Sequence, residues 1–307
     1  VEYADQAGNI GQAQTNTTDN SQIELDTIAP AILSVHITSD NVDTTLAKAG
    51  ENVFLTFTTS EPVRTPSLTD VTVSSLTNVT INQLDSEGKV WKASGQVPST
   101  GNGNASFSIT VHDRAGNTSI AASSTTDQTS VELDTTPPTL MPVKLASNND
   151  LSSSRAKSGD NLTLSFTSSE PITAPTVTLT GASVTASNTS GNGMDWVVVQ
   201  PVDSSTPNEL AAFSISFGDL AGNPGNELTS TNDGSFVNVD TTVPSLTLVK
   251  LKSNNDNTSL AKATETVTLE FDASESLENR SVQINGIEST VSLGSETDWM
   301  ATYSVPD

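Results

Sequence analysis

Three short strings that carry carboxylate and amide oxygens recur in the same order along this chain. They are Asp-x-Ala-Gly-Asn, Leu/Val-Asp-Thr-x-x-Pro and Ser-Glu-Pro, the last becoming Ser-Glu-Ser in its third copy. Carboxylate, amide and backbone carbonyl oxygens are the ligands of hard cations, which take about six to eight of them. The candidate ligands in these strings are Asp5, Asn9, Asp26, Glu61, Asp113, Asn117, Asp134, Glu170, Asp219, Asn223, Asp240 and Glu275.

The strings repeat with one common period. The first begins at Asp5, Asp113 and Asp219, and the aspartates of the second follow the same spacing of 108 and then 106 residues. Self-similarity at a fixed period is the signature of an array of like modules. The boundaries that follow are the end of a partial module over 1–25, complete modules over 26–133 and 134–239, and the start of a further module over 240–307.

The composition limits the kinds of partner. Asp and Glu outnumber Lys and Arg by 36 to 12, which gives a formal net charge of −24. Nucleic acid is therefore excluded as a partner, since phosphate binding needs a basic face. The sequence has no apolar run long enough to insert into a membrane, and it has no cysteine with which to form a disulfide. The acidity either keeps a secreted chain soluble or is neutralised in part by bound cations, and both explanations can hold together.

The elements that position these residues are predicted to be β-strands. Apolar residues alternate over Phe107–Val111, Leu162–Phe166 and Phe213–Phe217, and Gly/Asn-rich turns separate such runs. A period of two built from β-branched and aromatic residues indicates a half-buried strand. Short strands at regular spacing predict an all-β fold of tandem Ig-like antiparallel β-sandwich modules, each of about 105 residues.

Each predicted module carries one tryptophan. Trp91, Trp196 and Trp299 follow the module spacing. We interpret each as a core residue between the two sheets, with a stacking platform for sugar as the alternative. Aromatic residues make up only 4% of the chain, which favours the core interpretation over a glycan-binding module.

The ordered strings resemble a known family of repeats. Leu133–Pro138, Ala47–Glu51 with Phe54–Phe57, Ser169–Pro171 and Asp219–Asn223 are similar to the bacterial Ig-like repeats of giant surface adhesins and biofilm-associated proteins. The resemblance covers essentially the whole chain and implies an extracellular, cell-surface location. It also implies an extender function, with ligand binding left to domains elsewhere in the protein, and calcium between modules.

Strand alternation is expected to gather the acidic residues at one end of each module. In a seven-stranded Ig-like order, Asp26 lies where the chain enters, Glu61 follows the second strand back to that end, and Asp113 with Asn117 follows the sixth. The same order gathers Asp134, Glu170, Asp219 and Asn223 in the next module, and Asp240 with Glu275 in the third; Asp5 and Asn9 are the copy in the first partial module. Crowded carboxylates repel unless a cation or protons intervene, so the hypothesis is Ca²⁺ at each junction.

A plainer interpretation stays open for these strings. Asp-x-Ala-Gly-Asn also fits a capped turn, and Asp-Thr-x-x-Pro a solvated linker. At the opposite end of each module, Asp43, Asp150 and Asp256 lie in a polar loop that either adds ligands across the junction or forms an ordinary turn.

The partial modules at the two ends allow two explanations. The chain is a segment of a longer array, or residues 1–25 of one chain complete the module begun by 240–307 of another and so build a head-to-tail filament. An enzyme is not expected, because His36 and His112 are the only histidines and neither has metal-ligand spacing or a nucleophile beside it. The predicted function is mechanical reach, adhesion or matrix assembly, with neighbouring modules as partners.

Overall fold

A computed structural model of the chain describes residues 1–278 and 280–307. Within that part, the regular secondary structure is all β-strand. Strand Asn52–Thr59 alternates partly buried and buried residues along its whole length, as the period of two predicts. The prediction of tandem Ig-like antiparallel β-sandwiches is confirmed.

The first sandwich contains strands β1 to β9. One face is the sheet β1-β3-β6-β5, and the pair β4-β8 and the sheet β2-β9-β7 make up the rest. Its core includes Leu55, Phe57, Trp91 and Ile109, because inward positions of the strands are apolar at every second residue. The bounds are β1 Ile32–Ser39, β2 Leu46–Ala47, β3 Asn52–Thr59, β4 Val71–Val73, β5 Thr77–Gln83, β6 Val90–Gln96, β7 Gly103–Asn104, β8 Phe107–Ile109 and β9 Glu132–Leu133.

The second sandwich repeats this plan with strands β10 to β18. Its sheets are β10-β12-β16-β15, β14-β13-β17 and the parallel pair β11-β18, which matches the parallel pair β2-β9 of the first. The bounds are β10 Leu140–Ser147, β11 Arg155–Ala156, β12 Asn161–Ser168, β13 Thr176–Leu179, β14 Ala182–Thr185, β15 Ser187–Asn188, β16 Asp195–Pro201, β17 Phe213–Ser216 and β18 Asn238–Val239.

The C-terminal strands form one sheet, β19-β20-β24-β23, and one small hairpin, β21-β22. Val249 and Leu251 on β19 are 58% and 61% exposed, whereas Val35 and Ile37 at the same places on β1 are 1% and 2% exposed. The inner face of this sheet is therefore uncovered along β19, whereas Phe271 and Trp299 on the neighbouring strands are buried. The bounds are β19 Leu246–Ser253, β20 Thr266–Ala273, β21 Gln283–Ile284, β22 Ile287–Glu288, β23 Thr290–Leu293 and β24 Asp298–Ser304.

Residues 1–25 contain an isolated bridge between Ala4 and Ile10 and no longer strand. Ile23 and Leu25 lie 108 positions before Val131 and Leu133. Val131 and Leu133 are fully buried in the first sandwich, whereas Ile23 and Leu25 are exposed. The sequence prediction that this segment supplies the last strands of a module stays a prediction.

Contacts divide the described residues into two compact units. The first is Val1–Val143, Ser165–Val198 and Phe213–Asp233, and the second is Lys144–Leu164, Val199–Ala212 and Gly234–Asp307. The predicted ligands up to Asn223 all belong to the first unit, whereas Asp240 and Glu275 belong to the second. The module boundaries expected from the repeat remain predictions. No helix with the length and apolarity to cross a membrane occurs over residues 1–278 and 280–307.

Candidate metal centres

The Asp-x-Ala-Gly-Asn string folds into the same closed loop each time. In each copy the aspartate Oδ1 accepts a hydrogen bond from the asparagine backbone N–H, and Oδ2 accepts one from the asparagine side-chain amide. The glycine takes a positive φ, 101° at Gly116 and 88° at Gly222, which a residue with a Cβ disfavours. The string is therefore a capped turn, as the plainer interpretation held, and that turn fixes its aspartate. The loops are Asp5–Asn9, Asp113–Asn117 and Asp219–Asn223.

The asparagines at the ends of two loops also hold the chain segment that enters each sandwich. Asn117 Nδ2 donates to the backbone oxygen of Asp26 at 3.1 Å, and Asn223 Nδ2 donates to that of Asp134 at 3.0 Å. Sequence reasoning assigned Asn117 and Asn223 as metal ligands. The structure gives them a bracing contact through nitrogen, and their role as ligands through oxygen stays a prediction.

A serine hydroxyl brings the glutamate turn to the same place. The Ser60 hydroxyl accepts the Ala31 N–H at 2.9 Å, just after the linker proline, and the Ser169 hydroxyl accepts the Thr139 N–H at 3.0 Å. This contact explains the serine of Ser-Glu-Pro, because it ties the turn that carries the glutamate to the entering chain.

These contacts gather three carboxylates from distant loops into each of two groups. The group at the first sandwich is Asp26, Glu61 and Asp113, and the group at the second is Asp134, Glu170 and Asp219. In each group, one oxygen per residue lies within 4.8 Å of the others. Asp113 and Asp219 are only 1% and 2% exposed, and the other four are partly buried.

The electrostatics of the second group reflect this crowding. Burial, and then the negative charges of Asp134 and Asp219, raises the pKa of Glu170 above its ordinary value. In the first group, burial favours the neutral form of Asp113, but hydrogen bonds from Asn117 and Gly116 outweigh it and lower the pKa. The loop of the first group thus favours the charged form of Asp113, whereas the surroundings of Glu170 in the second group favour its neutral form.

The donor set fits a hard divalent cation. Oxygens that bind one Ca²⁺ at about 2.3–2.6 Å are at most about 5 Å apart across the ion. The oxygens of each group lie close enough together to meet that condition. Three carboxylates suit calcium, whereas zinc favours His or Cys ligands, and neither residue type belongs to the groups. The three residues in each group that would hold an ion are all among the ligands predicted from the sequence.

The remaining predicted ligands are not brought into such groups. Over residues 1–278 and 280–307, the two groups above are the ones in which three potential ligands meet. Asp5 and Asn9 form their exposed loop outside both groups. Asp240 Oδ1 accepts the Thr242 N–H at 3.0 Å, and Glu275 Oε1 is buried with no hydrogen-bond partner in the described part of the chain.

Two side chains that sequence reasoning did not assign make contacts at the same junction. Lys48 Nζ donates to the backbone oxygen of Gly222 at 3.1 Å, and Asn41 Nδ2 donates to that of Ala221 at 2.8 Å. A signal was present for Lys48, because Ala47–Glu51 is one of the strings that carry the family resemblance. Asp43, considered as an added ligand, accepts hydrogen bonds from the Thr45 N–H and hydroxyl instead, as in an ordinary turn.

The tryptophans lie in the core, which confirms that interpretation. Trp91, Trp196 and Trp299 are 2%, 8% and 5% exposed, and the indole N–H of Trp91 donates to the Gly88 oxygen. Their rings are not available as sugar platforms, so the feature that motivated a glycan-binding module is removed.

The two histidines pair with carboxylates near the surface. His36 Nδ1 lies 2.5 Å from an oxygen of Asp127, and His112 Nε2 lies 3.5 Å from Asp70. Hydrogen bonds from Thr129 and then His36 lower the pKa of Asp127 to about 2. None of these four residues is a member of the acidic groups, and the absence of enzymatic activity stays a prediction.

Comparison with known proteins gives similarity to solved structures alone. No family model matches the chain, and no curated protein matches it. It is similar to a Ca²⁺-stabilized adhesin that helps an Antarctic bacterium reach out and bind ice, with 19% identity and a TM-score of 0.42 over 98% of this chain and 71% of that one. It is also similar to the D00-D0 domain of intimin, with 12% identity and a TM-score of 0.28 over 64% of this chain and 100% of that one.

A third similar structure is dimeric latent PorU from Porphyromonas gingivalis, with 9% identity and a TM-score of 0.25 over 80% of this chain and 26% of that one. At these identities and TM-scores, the matches assign no ligand or activity to the chain.

We predict that Glu170→Gln stabilises the metal-free chain at neutral pH. The raised pKa of Glu170 means that its ionisation opposes folding, and protonation relieves this as the pH falls through the raised pKa toward the ordinary 4.5. In chelator, the advantage of the variant in the free energy of unfolding should therefore shrink from neutral pH to 4.5. Urea unfolding across that range measures it, with exposed Glu132→Gln as the control. An advantage that is absent, or constant with pH, contradicts the electrostatic account.

Proposed function

We propose that this chain is an extender segment of an extracellular bacterial adhesin or matrix protein, and that calcium ions at the sandwich junctions make it rigid. The observation that carries the proposal is the gathering of three carboxylates from distant loops at each of two sandwich ends. A sandwich that served only as a soluble spacer has no need of such crowding, which is unfavourable without a counter-charge.

The position of Asp134 connects the second group to stiffness. Asp134 directly follows β9, the last strand of the first sandwich, and its N–H donates to the Ala47 oxygen at 2.9 Å. Its carboxylate belongs with Glu170 and Asp219 of the second sandwich. An ion held there would fix the linker residue to both neighbours, so the freedom of the linker would fall when the ion binds.

The expected affinity suits an extracellular location. Extracellular calcium modules bind with dissociation constants of roughly 10⁻⁴–10⁻³ M, which matches calcium outside the cell and leaves such sites empty inside it. A chain without cysteine has no disulfide to fix its junctions, and a cation would take that role. Neighbouring modules would then be its direct partners, and any surface ligand would be bound by other parts of the protein.

We expect the full chain to take up calcium at both groups. Glu170→Gln and Glu61→Gln each remove one carboxylate without disturbing the capped loop, so each should weaken one site by about tenfold or more, roughly 1.4 kcal/mol. Isothermal titration calorimetry with CaCl₂ in low-salt buffer measures the number of sites and their affinities. Glu132→Gln should bind like the unmodified chain. No uptake by the unmodified chain, or unchanged uptake by both site variants, would refute calcium binding.

A head-to-tail filament is a second candidate, favoured by the exposed inner face of β19. Val249 and Leu251 occupy the places of residues that are buried in the first sandwich, and the exposed Ile23 and Leu25 match buried Val131 and Leu133. Residues 1–25 of a second copy carry the apolar pattern that would cover this face. Burying one such side chain contributes about 1.5–3 kcal/mol, so the four together favour association.

The filament candidate predicts oligomers that grow with concentration. Deleting residues 1–25, or replacing both Ile23 and Leu25 with serine, should leave monomers because the covering apolar groups are gone. Size-exclusion chromatography with light scattering measures the mass, and Ile120→Ser, at another exposed apolar residue, is the control. A chain that is monomeric at every concentration, or oligomers that persist after the deletion, would exclude this candidate.

A further inference from the structure

A hydrogen-bonded contact that needs no metal joins the trailing end of the first sandwich to the loop Asp219–Asn223. Lys48 and Asn41 donate to the backbone oxygens of Gly222 and Ala221, at 3.1 and 2.8 Å. The loop side contributes only main-chain carbonyls, so the contact uses none of the carboxylates of the acidic group.

An acidic residue holds the two donors in place. Glu51 Oε2 accepts from Asn41 Nδ2 at 2.9 Å and from the Lys48 N–H at 3.0 Å, and its other oxygen lies 3.8 Å from Lys48 Nζ. Donors positioned in advance lose less conformational entropy when they bind. We call Asn41, Lys48 and Glu51 the carbonyl clamp.

The same trio recurs in the second sandwich and in the C-terminal strands. Asn149 Nδ2 and Lys157 Nζ donate to Asp160 at 2.7 and 2.8 Å, with the lysine N–H also bound to it. In the C-terminal sheet, the Asn255 amide and the Lys262 N–H donate to Glu265. Three copies of one Asn, Lys and acid arrangement indicate a role common to every module. The trios are Asn41, Lys48 and Glu51; Asn149, Lys157 and Asp160; and Asn255, Lys262 and Glu265.

The three Asp-x-Ala-Gly-Asn loops provide an internal comparison. All three share the two hydrogen bonds from the asparagine to the aspartate and a glycine with positive φ. Ala221, which meets the clamp, is 3% exposed, whereas Ala115 and Ala7 at the same place in the other loops are exposed. Lys48 also packs closely on the glycine, because a Cβ on Gly222 would lie 3.0 Å from Lys48 Nζ and the lysine would have to shift.

We propose that the Asn, Lys and acid trio is a docking surface for the Ala-Gly carbonyls of the following module's Asp-x-Ala-Gly-Asn loop, and that it sets the geometry of the junction before any ion binds. The loop therefore has two separate uses. Its aspartate belongs to the acidic group, and its two carbonyls face the module before it. Each module would thus be recognised by the module before it through backbone groups. The trios that contain Lys157 and Lys262 would each bind the Asp-x-Ala-Gly-Asn loop of the module that follows them.

The test measures the junction in the full chain without calcium. The chain has no cysteine, so Thr80→Cys and Ser183→Cys, both on exposed strand positions of the first unit, place one spin label on each sandwich. Double electron–electron resonance in EDTA should give a narrow distance distribution. Lys48→Met, which keeps the aliphatic stem but removes the donor, should abolish the narrow component, and Lys48→Arg should restore it.

Controls separate the clamp from folding and from calcium. Lys157→Met, the matched change in the second sandwich, should leave the Thr80 to Ser183 distribution unchanged, and urea unfolding should show that Lys48→Met remains folded. A narrow distribution in EDTA that survives Lys48→Met overturns the clamp, as does one that is already broad in the unmodified chain. Calcium titration of the same labelled chain is scored separately, so a failure of calcium binding leaves this result interpretable.

Discussion

Electrostatic repulsion among carboxylates held close together is the constraint on which the rest of this structure depends. Two unit charges about 5 Å apart repel by roughly 3 kcal/mol at an effective dielectric constant of about 20, and each acidic group contains three such pairs. The fold does not relieve this by turning the side chains outward. It holds one aspartate of each group almost fully buried in a loop whose asparagine donates two hydrogen bonds to it. The same asparagine holds the segment that enters the sandwich, and a serine hydroxyl holds the glutamate turn to that segment. Such an arrangement calls for a positive charge between the oxygens.

The strand order of the sandwich brings the carboxylate-bearing loops to one end, and local hydrogen bonds then fix where those loops lie. Alternation of strands returns the turn after β3 and the loop after β8 to the end where the chain enters. The Ser60 hydroxyl and the Asn117 amide then attach those loops to the entering segment through Ala31 and Asp26. At the junction of the first two sandwiches the carbonyl clamp adds neutral and charge-assisted hydrogen bonds. Under this account the clamp sets the orientation of one module relative to the next, and a bound ion further restricts the motion of the linker.

Much of this architecture could be predicted from the sequence because it depends on spacing. Alternating residues such as Leu162–Phe166 identified strands, and the chain direction of successive strands was enough to place Glu61 and Asp113 at the same end as Asp26. What sequence reasoning missed depends on atomic detail. The asparagine of the loop donates through nitrogen, and Lys48 reaches a carbonyl of a loop 174 positions away, which periodicity cannot reveal. A third group was expected at Asp240 and Glu275. In the two observed groups, the buried carboxylate comes from an Asp-x-Ala-Gly-Asn loop, and no such loop accompanies Asp240 and Glu275 in the described residues.

The most direct test of the account is a crystal structure of the chain grown with calcium, with anomalous differences measured to locate the ion. The account predicts an anomalous peak within about 2.3–2.6 Å of oxygens from Asp134, Glu170 and Asp219, and an equivalent peak at Asp26, Glu61 and Asp113. Carboxylates that bind only water at saturating calcium, or that turn apart into solvent, would contradict it.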